Sequence, residues 1–176
     1  MQEVGIILGS ESDMPKVKEC FELLEHFNVT FEIVISSAHR SPEQTLKWAA
    51  EASGRGIKVI IAIAGGAAHL PGVVASHTTL PVIGVPVETR ISGGLDSLLS
   101  ITQMPAGIPV AAMAAGKAGG AKAALFAVSI LSLSNPAYVK RLAEYRMEMA
   151  HSIGRKNEEL KQAGYKKYIK DLSKDL

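Results

Sequence analysis

The chain has a single cysteine, Cys20, among its 176 residues. A lone cysteine excludes an internal disulfide and any multi-cysteine metal site, and it fits a reducing cytoplasm. Aromatic residues are scarce, at 5%, and no basic run is interleaved with them as a nucleic-acid groove would need. Neither sign of charge dominates: 19 Lys and Arg against 17 Asp and Glu leave a net charge of +2. An anionic ligand is therefore expected to be small and locally bound. Long apolar runs are missing as well. The most apolar stretch, "VIIAIAGGAAHLPGVVA", is broken by glycines, a histidine and a proline, so no membrane span is expected and the protein should be soluble. "MQEVGIILGS" lacks a charged n-region followed by a long apolar h-region, so no signal peptide is expected and the location should be cytoplasmic.

What is present is a regular alternation. Apolar runs bounded by turn residues recur at "VGIIL", "VTFEIVI", "KVIIAIA", "LPVIGVP" and "IPVAAMA", with helix-period segments between them. In the first such segment Val17, Cys20, Leu23, Leu24 and Phe27 share one helical face, which makes Cys20 a packing residue rather than a nucleophile. Parallel neighbours need crossover connections, so five strands joined by helices predict an α/β fold: a three-layer αβα sandwich with a central parallel sheet, flavodoxin-like. With 47% apolar residues, one sizeable core can form. The reading is a single domain over 1–176, with an α/β core over 1–134 and a C-terminal helical extension over 135–176. In that extension a long helix is predicted from Ala137 to about Gly164, with Val139, Leu142, Met149 and Ile153 near helical spacing. Its stripe is thin and its flanks charged, so it should lie across the domain or reach another subunit.

Ligands of open α/β sheets bind beyond the carboxyl ends of the strands, and three segments fall there. "GSESDMP" (residues 9–15) offers a permissive glycine, Ser12 or Asp13 to cap a helix, and Pro15 in its first turn. Its backbone N–H groups and the Ser10 hydroxyl suit a phosphate, although the same residues also make an ordinary capped turn. "SSAHRSPEQ" sets Ser41 at N-cap, Pro42 at N1 and Gln44 at N3, a capping-box pattern that leaves His39 and Arg40 in the loop before the helix. Arg40 can hold a phosphate through its fork, and His39 carries the side chain suited to proton transfer near neutrality. "AIAGGAAHLPG" follows the most apolar strand with Gly65, Gly66, Ala67 and Ala68, whose small side chains let a ligand approach the backbone closely. His69 next to them is read as structural, a cap or a backbone partner. His26, His77 and His151 stand apart from other ligand types, and neither H-E-x-x-H nor G-x-S-x-G occurs.

"GSESD", "SAHRSPE", "AGGAAHLPG", "LPVIGVPV", "GLDSLLSITQMPAGIPVA" and "GKAGGAKAAL" resemble, in order and spacing, the class I 5-(carboxyamino)imidazole ribonucleotide mutases, the PurE family of de novo purine (IMP) biosynthesis. The likeness runs from about Val4 to Leu131. It implies a homo-octamer with active sites at subunit junctions, no cofactor and no metal. It also implies a reaction: transfer of a carboxylate from the exocyclic amine of a ribonucleotide to ring carbon 4. By the same resemblance Ser10, Asp13, Ser37 and Arg40 would hold the ribonucleotide and His39 would be the general acid/base. Ala64, Gly65, Gly66, Ala67, Ala68 and Leu70 would surround the carbon dioxide, and Ser97 and Met104 would arrive from a neighbouring chain. Two positions depart from the pattern. Ile63 stands where glycine is usual and is expected to narrow the floor; Lys122 replaces an asparagine near a helix start. The alternatives are a carboxylase using free carbon dioxide and a noncatalytic ribonucleotide-binding module. A flavoprotein, suggested by fold analogy alone, lacks aromatic-rich loops for an isoalloxazine.

Overall fold

A computed structural model describes residues 1–173; the last three residues of the 135–176 extension lie outside the described residues. Five strands form, β1 (Val4–Leu8), β2 (Phe31–Ile35), β3 (Val59–Ala64), β4 (Val82–Pro86) and β5 (Ala111–Ala112), with seven helices among the described residues. These are α1 (Lys18–His26), α2 (Pro42–Glu51), α3 (Leu70–Ala75), α4 (Leu95–Thr102), α5 (Gly116–Ser132), α6 (Pro136–Ala163) and α7 (Tyr165–Leu172). All strand pairs are parallel and the order is β2-β1-β3-β4-β5. The αβα expectation holds in layers, order and direction. β5 is reduced to two residues, shorter than "IPVAAMA" suggested.

Period-two alternation divides the sheet between two cores. Ile6, Leu8, Ile61, Ile63 and Val85 turn to a layer containing Val17, Cys20, Leu24 and Phe27, together with Ala123, Ala127 and Leu131 of α5. Ile7, Ile60, Ala62 and Ala64 turn the other way, against Ala49 of α2, Leu70 and Val74 of α3 and Ile101 of α4. Ile63 is therefore a core residue, buried on the α1/α5 side, and it does not narrow the ligand floor. Small residues at the start of α5 serve close packing. A Cβ on Gly119 would lie 1.7 Å from the Ala114 carbonyl oxygen, and one on Gly120 would lie 3.1 Å from Val17.

The long helix runs Pro136–Ala163, as expected, and its N-cap Asn135 accepts from the Ala137 N–H at 3.1 Å. Of the predicted stripe, Leu142 turns to the body of the domain. Val139, Met149 and Ile153 are exposed, whereas Tyr138 is 4% exposed, and Leu142 and Tyr145 pack on the α1/α5 core. Gly164, at φ +74°, ends α6, and α7 follows as a separate short helix. No described helix is long and apolar enough to cross a membrane.

Candidate active site

The strand order reverses between β1 and β3: β2 lies on one side of β1, and the chain then crosses to β3 on the other. Strand order thus creates a crevice at their carboxyl ends. It is a cavity of about 280 Å³ lined by residues of all three segments singled out above, among them Ser10, Asp13, Ser37, His39, Gly65 and Leu70.

The first wall follows β1. Gly9 continues the ladder, donating to the Ile63 carbonyl at 3.1 Å. The chain then enters a 3₁₀ segment, Glu11–Val17, before α1 begins. Its N-cap is Ser10 rather than Ser12 or Asp13. The Ser10 hydroxyl accepts from the Ser12 N–H at 3.4 Å and lies 2.9 Å from the Ser12 hydroxyl. Asp13 is buried at the cavity edge, 8% exposed, with its carboxylate 3.3 Å from the Lys16 ammonium.

The second wall follows β2. Pro42 starts α2 with Ser41 at the N-cap position, but the Ser41 hydroxyl does not cap the helix. It accepts from the Ser37 N–H at 3.0 Å and donates to the Ser37 carbonyl at 3.2 Å, while Ser41 N–H reaches the same carbonyl at 2.9 Å. The serine closes the loop instead of the helix end. Arg40 is fixed inside that closed loop: its N–H donates to the Ser37 hydroxyl at 3.2 Å and its guanidinium to the Gly9 carbonyl at 3.2 Å. Arg40 thus bridges the first two walls from outside the cavity lining, and His39 projects from the same loop into it.

The third segment forms the floor. Ala64, Gly65 and Ala68 line the cavity, and Gly66 and Ala67 do not. The turn needs positive φ at Gly66 (+66°) and places Ala68 at +38°, a conformation costly for a residue with a Cβ. Two floor amides are already engaged: Gly66 N–H donates to the Ser97 hydroxyl at 2.9 Å, and Ala68 N–H to the Gly65 carbonyl at 3.2 Å. Ser97 also donates to the Val87 carbonyl at 2.9 Å and is fully buried. Within its own chain the hydroxyl of Ser97, the residue expected at a neighbouring chain's site, holds the floor against β4. Met104 lies outside this cavity, its sulfur over α3, where a Cβ on Gly72 would meet it at 2.6 Å.

His69 is not a cap. No side-chain bond from it caps α3; its Nδ1 lies 2.7 Å from His39 Nε2, with the two rings edge to face at a centroid separation of 4.9 Å. One of these nitrogens donates and the other accepts, so the contact ties the tautomer of one ring to that of the other. His26 packs on Phe27 and Tyr145, and His77 lies against Ser76 and the Val73 carbonyl. Lys122 lies within α5 and lines a groove with Tyr145 and Arg146 of α6, away from this cavity.

Sequence reasoning missed Lys16, Glu88 and Thr89 in the lining. The β4 contribution carries no motif; its signal was the strand end at Pro86, which the same switch-point rule marks. No group of three or more potential metal-binding side chains occurs among the described residues.

A histidine, serines and a buried aspartate lining one cavity with small residues at a sheet switch point are the features of an α/β enzyme with a small-molecule substrate. The chain belongs to the AIR carboxylase family, whose model matches residues 3–152. The N5-carboxyaminoimidazole ribonucleotide mutase of Thermotoga maritima is 51% identical over 169 residues, which cover 96% of this chain and 98% of that protein. The mutase of the same name from Pyrococcus horikoshii is 50% identical over 168 residues, covering 96% and 94%. The phosphoribosylaminoimidazole carboxylase of Candida glabrata is 48% identical over 166 residues, which make up 94% of this chain but 29% of that protein. Among solved structures, Treponema denticola PurE superposes with a TM-score of 0.82 at 28% identity, covering 92% of this chain and 99% of that one.

Proposed function

We propose that the chain is an N5-carboxyaminoimidazole ribonucleotide mutase of purine biosynthesis, moving the carboxylate from the exocyclic nitrogen to ring carbon 4. The observation that carries this reading is the placement of His39 beside the floor formed by Ala64, Gly65 and Ala68 in one cavity. Near-full-length relatives at about half identity bear the mutase name. The carboxylase of Candida glabrata matches over a small part of its length, so a free carbon dioxide carboxylase is the less supported activity.

In this reading Ser10 and Ser37 take the phosphate inside the cavity, Arg40 reaches it from the rim, and Asp13 takes the ribose hydroxyls. Protonated His39 gives its proton to the exocyclic nitrogen as the N–CO₂ bond breaks, releasing carbon dioxide onto the floor and leaving an electron-rich aminoimidazole. Ring carbon 4 then attacks the retained gas, and neutral His39 takes the proton from that carbon, so the catalyst returns to its starting state. Retention converts a bimolecular capture into an intramolecular one, for which effective molarities reach about 10⁵ M or more. Proton transfer by a placed imidazole adds about 10²–10⁴-fold. Leu70, buried beside Ala68, keeps the floor dry.

The active form is proposed to be a homo-oligomer, an octamer by family resemblance. Supporting this, Ile91, Leu95 and Leu99 around α4, and Val139, Met149 and Ile153 on α6, are exposed apolar side chains of the kind that mark contact surfaces. Met104 and the 135–176 extension are candidates for contacts between chains, within one folding unit per chain. A cytoplasmic location and independence from metal and organic cofactor complete the proposal.

The test is turnover of the purified protein on the carbamate-bearing ribonucleotide in bicarbonate-depleted buffer, with a downstream ligase drawing off the ring-carboxylated product. Rapid product formation is expected, and abolished turnover with retained nucleotide binding in His39→Asn. Product formation only when bicarbonate and free aminoimidazole ribonucleotide are supplied would establish the carboxylase instead.

A further inference from the structure

Lys16 stands in the cavity lining without a role in the scheme above. Its ammonium lies 3.3 Å from the Asp13 carboxylate and 3.5 Å from the Glu88 carbonyl oxygen. Asp13 follows β1 and Glu88 follows β4, two strands that the sheet does not pair, because β3 lies between them. Lys16 therefore spans the crevice behind the floor, joining walls that no backbone ladder connects. Asp13 has an 11% exposed side chain and Lys16 a 41% exposed one: the carboxylate is held inside while its counter-ion reaches it from the solvent edge.

Charge gives this bridge a purpose. The cavity lining contains two carboxylate residues, Asp13 and Glu88, and Lys16 is its lysine or arginine. A phosphorylated, carboxylated substrate entering there meets repulsion from Asp13 unless that charge is balanced at short range, where a partly desolvated pair is screened least. Glu88 supplies its main-chain carbonyl to Lys16, while its carboxylate lies against the start of α5, within 2.9 Å of where a Cβ on Gly116 would be. The ammonium is thereby placed between Asp13 and the β4 end, within 3.3 Å and 3.5 Å of an acceptor on each.

We propose that Lys16 is a positioning residue for substrate binding: it aims the Asp13 carboxylate at the sugar and cancels its charge, so that the site accepts an anionic ribonucleotide. The proposal rests on the mutase reading and deepens it. Because Lys16 acts before chemistry and does not touch the reacting atoms, its loss falls on KM.

The experiment is steady-state turnover of the full chain and of Lys16→Met and Lys16→Arg on the carbamate-bearing ribonucleotide at two ionic strengths, with circular dichroism to confirm folding. Losing a charge-assisted contact predicts a KM raised by about tenfold in Lys16→Met with kcat within about threefold. Lys16→Arg, which keeps charge and reach, is expected to restore KM to within about threefold. Added salt raises the KM of the parent, and it raises that of Lys16→Met by a smaller factor, since salt then also screens the uncompensated Asp13. Titration of both proteins with the stable ring-carboxylated product gives the same ordering of dissociation constants. An unchanged KM in Lys16→Met beside an active parent overturns the role of Lys16 alone, as does a loss confined to kcat. An inactive parent overturns the mutase reading itself.

Discussion

Replacing Ser97 with alanine tests whether the floor of the cavity is held from beneath. The hydroxyl accepts from Gly66 N–H and donates to the Val87 carbonyl, both at 2.9 Å, from a side chain with no exposed surface. Val87 is fully buried, so its carbonyl loses its hydroxyl partner where water does not reach, costing about 1–3 kcal/mol; Gly66 is only half-buried, and losing its bond costs about 1 kcal/mol net. The sum is roughly 2–4 kcal/mol. For a chain of this size each kcal/mol lowers the melting midpoint by about 2–4 °C, so a fall of about 5–15 °C is expected. Trp48 fluorescence at fixed protein concentration measures it, concentration being held because association also shifts the midpoint. The floor turn, released at Gly66, should also lower kcat, since displacement by about 1 Å costs on the order of 10²-fold. Ser100→Ala is the control: its hydroxyl reaches the Gly66 carbonyl at only 3.4 Å and otherwise bonds within its own helix to Asp96 at 2.9 Å, so near-parental values are expected. A midpoint within 2 °C of the parent and an unchanged kcat in Ser97→Ala would refute the bracket.

Burial pushes the Cys20 thiol up to about 12, so iodoacetamide is expected to label it in urea and not in the folded protein at pH 8; rapid native labelling would contradict its place under α5. Tyr138 donates to Glu3, which also pairs with Lys58 at 2.8 Å. Burial raises Glu3, but bonds from Lys58 and Tyr138 outweigh it and leave the carboxyl below 4.5; burial, then the bond to Glu3, pushes Tyr138 up to about 12. Glu3 therefore stabilises the fold above pH 4.5, an effect lost as pH falls through its lowered value. The Tyr138 contribution is full below about pH 10 and lost as pH rises through 12. Urea midpoints of Tyr138→Phe should lie below the parent's at neutral pH and converge with them at both extremes, and a constant gap would argue against the linkage. If His39 both gives and recovers the proton, no relay is required, and His69→Asn should keep turnover within about tenfold of the parent; a loss equal to that of His39→Asn would make the imidazole pair the catalyst.

The sheet was readable because each buried strand is an apolar run ending in glycine, proline or serine, and such runs have few other uses in a chain this polar between them. β5 shrank because Pro109 cannot donate to a ladder and its neighbours are only half-buried. The α6–α7 break depends on one glycine inside a charged segment, where periodicity alone continues the helix. Within the site, His39, Ser10 and Asp13 could be found because they sit next to strand ends. Lys16 could not: a lysine in the first turns of a helical segment reads as a solvated charge until β4 is brought alongside it. The contacts of Ser97 and His69 were hidden for the same reason. Their partners, Gly66 and His39, are about 30 residues away in the chain, and no local pattern encodes that contact.

Containment connects the geometry of one chain to the proposed assembly. A mutase must hold carbon dioxide longer than the ring needs to turn and attack it, and a gas escapes through any open side. The floor meets this from below, with Ala64, Ala68 and Leu70 buried and the turn bracketed by Ser97. The mouth does not: His39 and His69 are exposed in the single chain, as is Gly65 at the edge of the floor. In the proposed binding mode substrate would cover part of that opening, its ring over the floor and its phosphate and ribose at the walls. In the proposed oligomer a neighbour would close the remaining side, and the exposed apolar side chains of α4, the helix that also carries Ser97, offer it a contact surface. A neighbour seated on α4 would bear, through Ser97, on the turn at Gly66, which would join assembly to floor geometry. Activity is then expected to depend on association, although His39, the residue proposed for the proton-transfer step, belongs to one chain.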